Sequence, residues 1–373
     1  MPHFSYHIQK NPISKTDSVT IDSFLGNEAS VFVPGDIDGY QVTALDSYAF
    51  SPIHHSGTCQ NIRHITLPNG LTSIGRYTFY GCRTLQSLKI PDSLSYIGAG
   101  PFVGCHNLTD LEYCIYQQET HCCLKEIIQE LPQRLFVTLS EFSPDEILTP
   151  FARLVFPAYF EEAVENTPAR ITVSNIHGCG TYYRQCFTSG SIDFSKYDKQ
   201  FPMAAAWENR YHAIELCLLR LRFPYQLSEE ARIQYENFLK QHSLFAGAFC
   251  LGVHTTSFFR QIVSEHASSS MSEGTFMKDL PQMGGFDGSV LLTDSFSERS
   301  DEQILETAEA TAVFSERTTY LSLYLSSVQP DKETTDLLLD LSSQCTLPEC
   351  TSLLMEYCNR HFVSSTKMKR FTL

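Results

Sequence analysis

Apolar residues recur at a fixed interval of 23 positions in the N-terminal third of the chain. The segment 82–98, CRTLQSLKIPDSLSYIG, has the same apolar positions as the segment 59–75, CQNIRHITLPNGLTSIG. A third and shorter copy, CHNLTDLEY, occupies residues 105–113. A period in the twenties is typical of a solenoid, in which each coil buries its apolar side only against neighbouring coils. The pattern therefore predicts stacked coils over about residues 20–113.

Two extended pieces are predicted within each coil. Leu88 and Ile90 alternate with polar residues, which is the periodicity of a strand. Pro91 then predicts a corner, because proline fixes its own backbone angle and lacks the N–H group that a sheet requires. A second short piece covers 94–97, and Gly98 after it predicts a turn that needs an open backbone dihedral.

An aromatic residue occupies the same place in successive coils and is expected to fill the core. Phe79 and Phe102 keep the 23-residue spacing, whereas Phe50 precedes Phe79 by 29 residues. About six extra residues therefore lie in the segment 51–58, since insertions fall in the loops of solenoids.

The repeat pattern C-x-x-L-x-x-L-x-I-P-x-x-L-x-x-I-G-x-x-x-F resembles the BspA-like, Treponema-type leucine-rich repeats. The segment 37–42, IDGYQV, is similar to the start of such arrays, and the resemblance covers roughly residues 20–113. Many members of this family are bacterial surface proteins that bind host or matrix proteins. The resemblance therefore implies a leucine-rich-repeat solenoid with a role in protein recognition.

Polar residues that point outward from the first strand of successive coils form the candidate binding face. They are His64, Thr66, Ser87, Lys89, Asp110 and Glu112. On a stacked sheet these side chains lie side by side on a rigid scaffold, which favours recognition of a partner. The alternative is a solvated face that binds nothing, because exposed polar residues are common on any sheet.

The predicted fold class is α+β, with a short β-solenoid followed by an all-α domain that has the features of a helical repeat. We assign 1–122 to the solenoid, 123–200 to a capping or connecting region and 201–373 to the helical domain. A short amphipathic helix is expected at 123–131, where it could cap the coils, and another near Phe156–Asn166.

Helical spacing dominates the last part of the chain. A continuous helix is predicted from Ala204 to Leu221, and Ser228, followed by two glutamates, is expected to cap the next one. Three later segments begin with threonines 16 residues apart, which predicts stacked helices. These are Thr319, Thr335 and Thr351. A flexible loop is predicted at about 267–299, where apolar periodicity is low.

Composition narrows the functional classes. The chain has 373 residues, 42% of them hydrophobic, and a formal net charge of −15. Nucleic acids and anionic membrane surfaces require a basic footprint, so neither is an expected partner. No run is long and apolar enough to predict membrane insertion, and the N-terminal segment is polar. A cytoplasmic location is expected, with a surface-associated or secreted protein as the alternative.

The 13 cysteines are predicted to be reduced and mostly buried. Their number is odd and no CxxC pair occurs. Cys82 and Cys105 occupy one repeat position, where cysteine acts as a small apolar filler. Candidate zinc ligands are Cys114 with His121-Cys122-Cys123, or His177 with Cys179, but structural zinc sites usually show two closely spaced ligand pairs. We therefore predict no metal and no cofactor.

One fragment could support catalysis. His177-Gly-Cys179 places an imidazole near a thiol at a glycine-rich turn, and a thiolate can act as a nucleophile when a base lowers its pKa. Arg210 could contribute to a polar site with them, although it could equally hold its helix in place. Because no third orienting group is visible, no catalytic residue is assigned.

A protein of the binding class is therefore predicted, not an enzyme. The first hypothesis is a scaffold that binds a protein partner through the candidate binding face. The alternatives are a surface adhesin of bacterial origin and an enzyme with a site in 150–222, whose repeats would select the substrate.

Overall fold

The computed structural model describes residues 4–10, 17–55, 57–116, 123–142, 147–166, 171–254, 256, 259–262 and 316–362. The chain divides into two compact units, Met1–Arg232 and Ile233–Leu373. The first contains all the strands described below, and the second is built from helices.

The first unit is organised around two sheets whose strands alternate along the chain. The strands up to the end of the repeats are β1 (Phe4–Gln9), β2 (Ser18–Phe24), β3 (Ser30–Phe32), β4 (Asp36–Ile37), β5 (Tyr40–Leu45), β6 (His64–Thr66), β7 (Ser73–Ile74), β8 (Ser87–Pro91), β9 (Tyr96–Ile97) and β10 (Asp110–Ile115). Later strands are β11 (Leu135–Phe142), β12 (Leu148–Phe156), β13 (Phe160–Asn166), β14 (Ile171–His177), β15 (Phe187–Thr188) and β16 (Ser191–Ile192).

Each coil gives one strand to each sheet. One sheet has the order β1-β2-β5-β7-β9, and the other has the order β12-β11-β10-β8-β6-β3. We call the second the parallel sheet, because its strands run parallel from β3 to β11. The coils form a β-solenoid of about five turns over residues 19–141, so the predicted solenoid is confirmed and continues past residue 113.

The interior of the coils is a continuous apolar ladder. Leu88 and Ile90 are each 1% exposed, and Ile62, Leu85 and Leu108, at one repeat position, are fully buried. The strand alternation read from the sequence therefore correctly predicted that Leu88 and Ile90 face the interior. Burial of such side chains is worth about 1.5–3 kcal/mol each, so every additional coil stabilises the stack.

A column of phenylalanine rings runs through the turns of the coils. The ring centroids of Phe50 and Phe79 are 5.5 Å apart, and those of Phe79 and Phe102 are 5.4 Å apart, with near-parallel planes. Phe24 extends the column at 5.7 Å from Phe50. The 29-residue gap between Phe50 and Phe79 does not interrupt this column, so the insertion lies outside the core, as predicted.

The cysteines at one repeat position make a second column. Each thiol donates a hydrogen bond to the carbonyl oxygen of the phenylalanine in the preceding coil. The Sγ–O distance is 3.3 Å from Cys59 to Phe24, and 3.1 Å both from Cys82 to Phe50 and from Cys105 to Phe79. A thiol is therefore a filler that also satisfies a buried carbonyl, which explains a cysteine at this position better than apolarity alone.

Glycine at the end of a coil is required for close packing. A Cβ atom on Gly75 would lie 2.5 Å from the backbone nitrogen of Ser47, and one on Gly98 would lie 2.6 Å from that of Arg76. Neither glycine has a positive φ. The expectation that these glycines supply an open dihedral is therefore wrong. Glycine is required at both positions because the neighbouring coil approaches too closely for a side chain.

The sheet continues beyond the recognisable repeats. The helix expected at 123–131 is present as α1 (Leu124–Glu130), and it lies in the connection between β10 and β11. β11 then pairs parallel with β10, and β12 pairs antiparallel with β11. The helix is thus followed by two more strands of the same sheet.

The helix expected near Phe156–Asn166 is wrong. β12 ends at Phe156, and Phe160–Asn166 forms the strand β13, which pairs antiparallel with β14 along its whole length. Pro157 lies between the two strands, and the glutamates of FEEAVEN imitate the polar side of a helix. Pairing with the β-branched strand β14 decided the structure here, which is a non-local effect.

The helix predicted from Ala204 to Leu221 is divided in two. α4 (Phe201–Trp207) ends at Glu208, whose backbone is extended, and α5 (Arg210–Arg222) begins after Asn209. The Asn209 side chain accepts a hydrogen bond of 2.9 Å from the Tyr211 backbone N–H, so this residue caps a new helix and does not continue the old one. Two shorter helices precede them, α2 (Gly180–Tyr183) and α3 (Phe194–Asp198).

Helices with threonine at 16-residue intervals are present in the second unit. Among the described residues from the unit boundary onward, the helices are α6 (Glu229–Gln241), α7 (Ser243–Leu251), α8 (Arg317–Val328), α9 (Lys332–Gln344) and α10 (Pro348–His361). Ser228 caps α6, as predicted, by accepting a hydrogen bond of 3.2 Å from the Ala231 N–H. α7 packs on α8 and α9, and α9 packs on α10. The flexible loop predicted at 267–299 lies outside the described residues.

Candidate binding face

The parallel sheet places the six candidate residues in two rows on its outward side. Ser87 stands beside His64 and Asp110 in the sheet register, and Lys89 stands beside Thr66 and Glu112. The residues between them in each strand, such as Leu88 and Leu111, are buried in the coils. The alternation of a strand thus gives one apolar side and one accessible polar side.

Within each row, side chains on neighbouring strands are hydrogen-bonded to one another. His64 Nδ1 lies 2.8 Å from Ser87 Oγ. Lys89 Nζ donates to Glu112 Oε1 at 3.2 Å, and the same oxygen accepts a hydrogen bond of 3.1 Å from Ser140 Oγ. These contacts cross from one coil to the next and hold the side chains in fixed positions.

The second end of the face carries Arg153, which sequence reasoning missed. It lies beside the buried Phe136 and the nearly buried Arg134, which pairs with Glu215 at 2.6 Å. Arg153 on β12 donates to Asp110 Oδ1 at 3.3 Å. Its guanidinium carbon lies 5.5 Å from the ring centre of Phe136 on β11, and that of Arg134 lies 5.0 Å from it. Burial raises the pKa of Asp110, while Arg153 and Thr109 act in the opposite direction. The side chains therefore form a mixed-charge cluster around an aromatic ring.

The other end of the face is apolar. Phe32 on β3 stands beside Thr66 in the register and is 72% exposed. Phe32 is apolar, so it falls outside the polar pattern that indicates the other residues of the face. The alternation of apolar and polar residues in 135–142 and 148–156 is typical of the strands β11 and β12. Neither segment belongs to the 23-residue repeat, so the repeat does not indicate that these strands adjoin the candidate face.

His177 and Cys179 each contact side chains of neighbouring elements of the fold. His177 Nε2 lies 3.1 Å from Glu162 Oε2, and its ring stacks on Phe160. Cys179 is buried and donates to Glu208 Oε1 at 3.1 Å. The imidazole and the thiol thus contact different carboxylates.

The electrostatics around Cys179 oppose a nucleophilic role. Burial and the Glu208 carboxylate raise the pKa of the Cys179 thiol well above its usual range, so the thiol is protonated near neutral pH. Burial also acts to raise the pKa of Glu208, but hydrogen bonds with His212 and Cys179 outweigh it and lower that pKa. Arg210 is the first residue of α5 and follows the cap residue Asn209 directly.

The cysteines considered for zinc are buried thiols. Burial raises the pKa of Cys114 to about 12, and Cys123 precedes α1 in the interior. His121 and Cys122 lie outside the described residues. Among the residues that the structure describes, no group of three or more His, Cys, Asp or Glu side chains is placed to hold a metal ion. In the same residues, no helix is long and apolar enough to cross a membrane.

Comparison with known families identifies the repeats. A family model described as "BspA type Leucine rich repeat region (6 copies)" matches residues 39–126. The resemblance read from the spacing of Cys, Leu, Ile, Pro and Gly is therefore confirmed for this segment. Comparison with curated proteins gives no match.

Three solved structures are similar to part of the chain. A leucine rich cell surface protein from Faecalibacterium prausnitzii is 23% identical, with a TM-score of 0.24, over 33% of this chain and 35% of its own. A leucine-rich repeat protein from Bacteroides capillosus is 25% identical, with a TM-score of 0.25, over 30% and 78%. The leucine rich repeat protein of T. pallidum is 23% identical, with a TM-score of 0.20, over 30% and 68%. The chain thus spans about a third of the Faecalibacterium protein.

Proposed function

We propose that this chain is a non-enzymatic scaffold that binds a protein partner through the outward side of the parallel sheet. The observation that supports this most directly is the pair of rows across β6, β8 and β10, whose side chains are partly accessible and already bonded to one another. Residues held in this way lose little conformational freedom on binding, which lowers the entropic cost of association.

The composition of the face indicates the kind of partner. Lys89 and Arg153 alternate with Asp110 and Glu112, so the face has both signs of charge and favours a polar protein surface of matching pattern. Phe32 at one end and the partly exposed Arg153 at the other supply the residue types that dominate binding energy at interfaces. Neither nucleic acid nor a lipid surface fits this arrangement in a chain with a net charge of −15.

A reducing, cytoplasmic environment is part of the proposal. The described cysteines are free thiols, and all but Cys345 and Cys358 are buried. Thiols that donate hydrogen bonds from the interior of the coils belong to the reduced form of the protein. The alternative, a surface adhesin, is favoured by the BspA type of the repeats and predicts recovery of the protein from the cell surface upon fractionation.

The face can be altered without large effects on folding, which makes a clean test. The side chains of Lys89 and Asp110 are 30% and 47% exposed, and surface ion pairs such as theirs with Glu112 and Arg153 are worth only about 0–1 kcal/mol. A double variant, Lys89→Glu with Asp110→Lys, reverses two charges on the face. The matched control is Lys199→Glu with Asp340→Lys, which makes the same exchanges at exposed positions elsewhere.

The experiment has two steps with the full chain. Capture from a lysate of the source cells identifies candidate partners, and calorimetry with the purified partner then measures the dissociation constant. We expect the face variant to bind at least about tenfold more weakly and the control to bind as the unaltered chain does. Equal affinity of both variants would exclude this face as the binding surface.

A further inference from the structure

The strands β13 and β14 form an arm that pairs with no third strand among the described residues. Each residue from Phe160 to Asn166 pairs with one from His177 back to Ile171, without a register shift. Near the base of the arm, Phe160 and Ile176 are 53% and 50% exposed. A two-stranded ribbon by itself is at best marginally stable in water, so pairing of its open edge with a further strand would stabilise it.

The base of the arm is held firmly. Arg184 donates to the carbonyl oxygens of Pro157, before β13, and Gly180, after β14, at 2.5 and 3.0 Å. A Cβ atom on Gly178 would lie 2.6 Å from the Ala158 oxygen, so only glycine allows the two ends to approach this closely. The arm therefore extends from a fixed point of the first unit.

The two edges of the arm differ in charge. β13 has the sequence FEEAVEN, with three glutamates, whereas β14 has the sequence ITVSNIH, with no Asp, Glu, Lys or Arg and with four β-branched residues. Charged residues protect a strand edge from pairing with another chain, and an uncharged, β-branched edge is open to it. The β13 edge is thus guarded and the β14 edge is not.

We propose that β14 pairs antiparallel with β14 of a second copy of this chain, giving a four-stranded sheet in the order β13-β14-β14-β13. A second copy fits better than a charged peptide, because β14 offers no charge to attract one and none to repel its own sequence. The glutamates of both copies then lie on the outer strands. This inference is independent of the proposed binding face, which lies on the parallel sheet.

The register gives a direct test. Full overlap places Ser174, the middle residue of β14, opposite its own copy, with a Cα–Cα distance of about 4.5–5.5 Å that a disulfide can bridge. Ala163 pairs with Ser174 inside the arm. In the four-stranded sheet its two copies are three strand spacings apart, about 14 Å, which is too far for a disulfide. Oxidation should therefore cross-link Ser174→Cys and leave Ala163→Cys, like the unaltered chain, without an additional link.

Sedimentation of the full chain tests the association itself. We expect a dimer with a dissociation constant in the micromolar range, tightened by added salt because each copy carries a net charge of −15. Asn175→Lys should weaken the dimer about tenfold, because it brings like charges onto the paired edge. Residue 175 pairs with Glu162 within the arm, so a lysine at this position forms an opposite-charge pair and should not destabilise the arm.

Asn359→Lys makes the same change at an exposed position of α10 and should leave the dimer unchanged. A chain that sediments as a monomer up to about 0.1 mM would overturn the proposal, since edge pairing of this kind should be detectable there. Cross-linking of Ala163→Cys in place of Ser174→Cys would also overturn it, because the β13 edge would then be the one that pairs. Circular dichroism of each variant confirms that the arm has not unfolded.

Discussion

The repeated coils up to residue 113 and the segment 123–232 are stabilised in opposite ways. Each of these coils repeats the contacts of the coil before it. Its phenylalanine ring lies at about the same distance from the preceding ring, and its thiol donates to the equivalent carbonyl oxygen. In 123–232, two buried arginines hold separate stretches of chain together. The first arrangement divides the stability among many similar contacts, and the second concentrates it in a few side chains.

Arg184 shows how far this concentration goes. Its guanidinium is 3% exposed and donates to the carbonyl oxygens of Ile128, Leu131, Gln133, Pro157 and Gly180. These oxygens belong to α1 and the connection after it, to the segment between β12 and β13, and to the first residue of α2. Burial lowers the pKa of Arg184 to about 10, so the cation remains charged at neutral pH at a cost that the carbonyls offset.

Arg220 is the second such residue and uses a carboxylate. It donates to both oxygens of Asp198 at 2.8 and 2.9 Å, and to the carbonyl oxygen of Phe223 at 2.8 Å. The side chains of Arg220 and Asp198 are 0% and 5% exposed. A bidentate, buried pair of this kind fixes α5 against α3 in one geometry.

The largest effect is expected for Arg184→Ala. The change removes the side-chain donor from four buried carbonyl groups, whereas the Gly180 oxygen still accepts from the backbone N–H of residue 184. Each unsatisfied buried acceptor costs about 1–3 kcal/mol. We predict a loss of more than about 4 kcal/mol in the free energy of unfolding, measured by urea denaturation. Arg184→Lys should recover only part of it, because an ammonium group has fewer donors than a guanidinium.

The control for Arg184 is Arg83→Ala, since Arg83 is exposed on a coil. Its loss should stay within about 0.5 kcal/mol, as is usual for surface positions. A similar, small loss for both variants would show that stability in 123–232 is as widely distributed as in the coils.

An intermediate effect is expected for Phe79→Ala. Phe79 is fully buried between Phe50 and Phe102, and truncation of a core phenylalanine costs about 3–5 kcal/mol. Because coils contact only their neighbours, amide exchange should accelerate most in the adjacent coils and less in 123–232.

Phe32→Ala is the matched control, because Phe32 is 72% exposed and its removal opens no cavity. Its stability should be close to that of the unaltered chain. Uniform acceleration of exchange throughout residues 4–232 in Phe79→Ala would contradict the layered description of the coils and favour a single cooperative unit.

The smallest effect is expected at His55, in the insertion that separates two coils. Burial and the neighbouring His54 lower the pKa of His55 below its ordinary value of 6.5. The unfolded chain therefore binds more protons than the folded chain as the pH falls below about 6.5, and stability contributed by neutral His55 is lost in that direction.

We predict a shallower decrease of the melting temperature between about pH 7.5 and 5.5 for His55→Gln than for the unaltered chain. His106→Gln, at an exposed position, controls for the general loss of a histidine. An unchanged slope in His55→Gln would show that the insertion is decoupled from the folding of the coils.

The outcome for individual residues shows what the sequence can specify. The burial of Leu85, the column of Phe79 and the position of α1 follow from local spacing, and each was predicted. The role of Cys82 as a donor to the Phe50 carbonyl was not, because the sequence indicates that a site is small and apolar but not which atom lies opposite. The same limit applies to Gly98, whose position was recognised for a reason that the structure corrects.

The candidate face was predicted in part for the same reason. His64, Ser87 and Asp110 repeat in the sequence, so their alignment could be inferred before any coordinates. Arg153 and Phe136 come from strands outside the repeat, and nothing in their spacing placed them beside Asp110. The residues of the candidate face that lie in the repeats could therefore be predicted from the sequence, whereas those on strands outside the repeats could not.

The sequence by itself determined the coils, because a period of 23 residues brings equivalent side chains into register without reference to anything distant. Only the tertiary structure decided that Phe160–Asn166 is a strand, that Ala204–Leu221 is two helices, and that Arg184 joins stretches up to 56 residues away. Local patterns record which side of an element is apolar. They do not record which distant partner will meet it, and that choice depends on the packing of the folded chain.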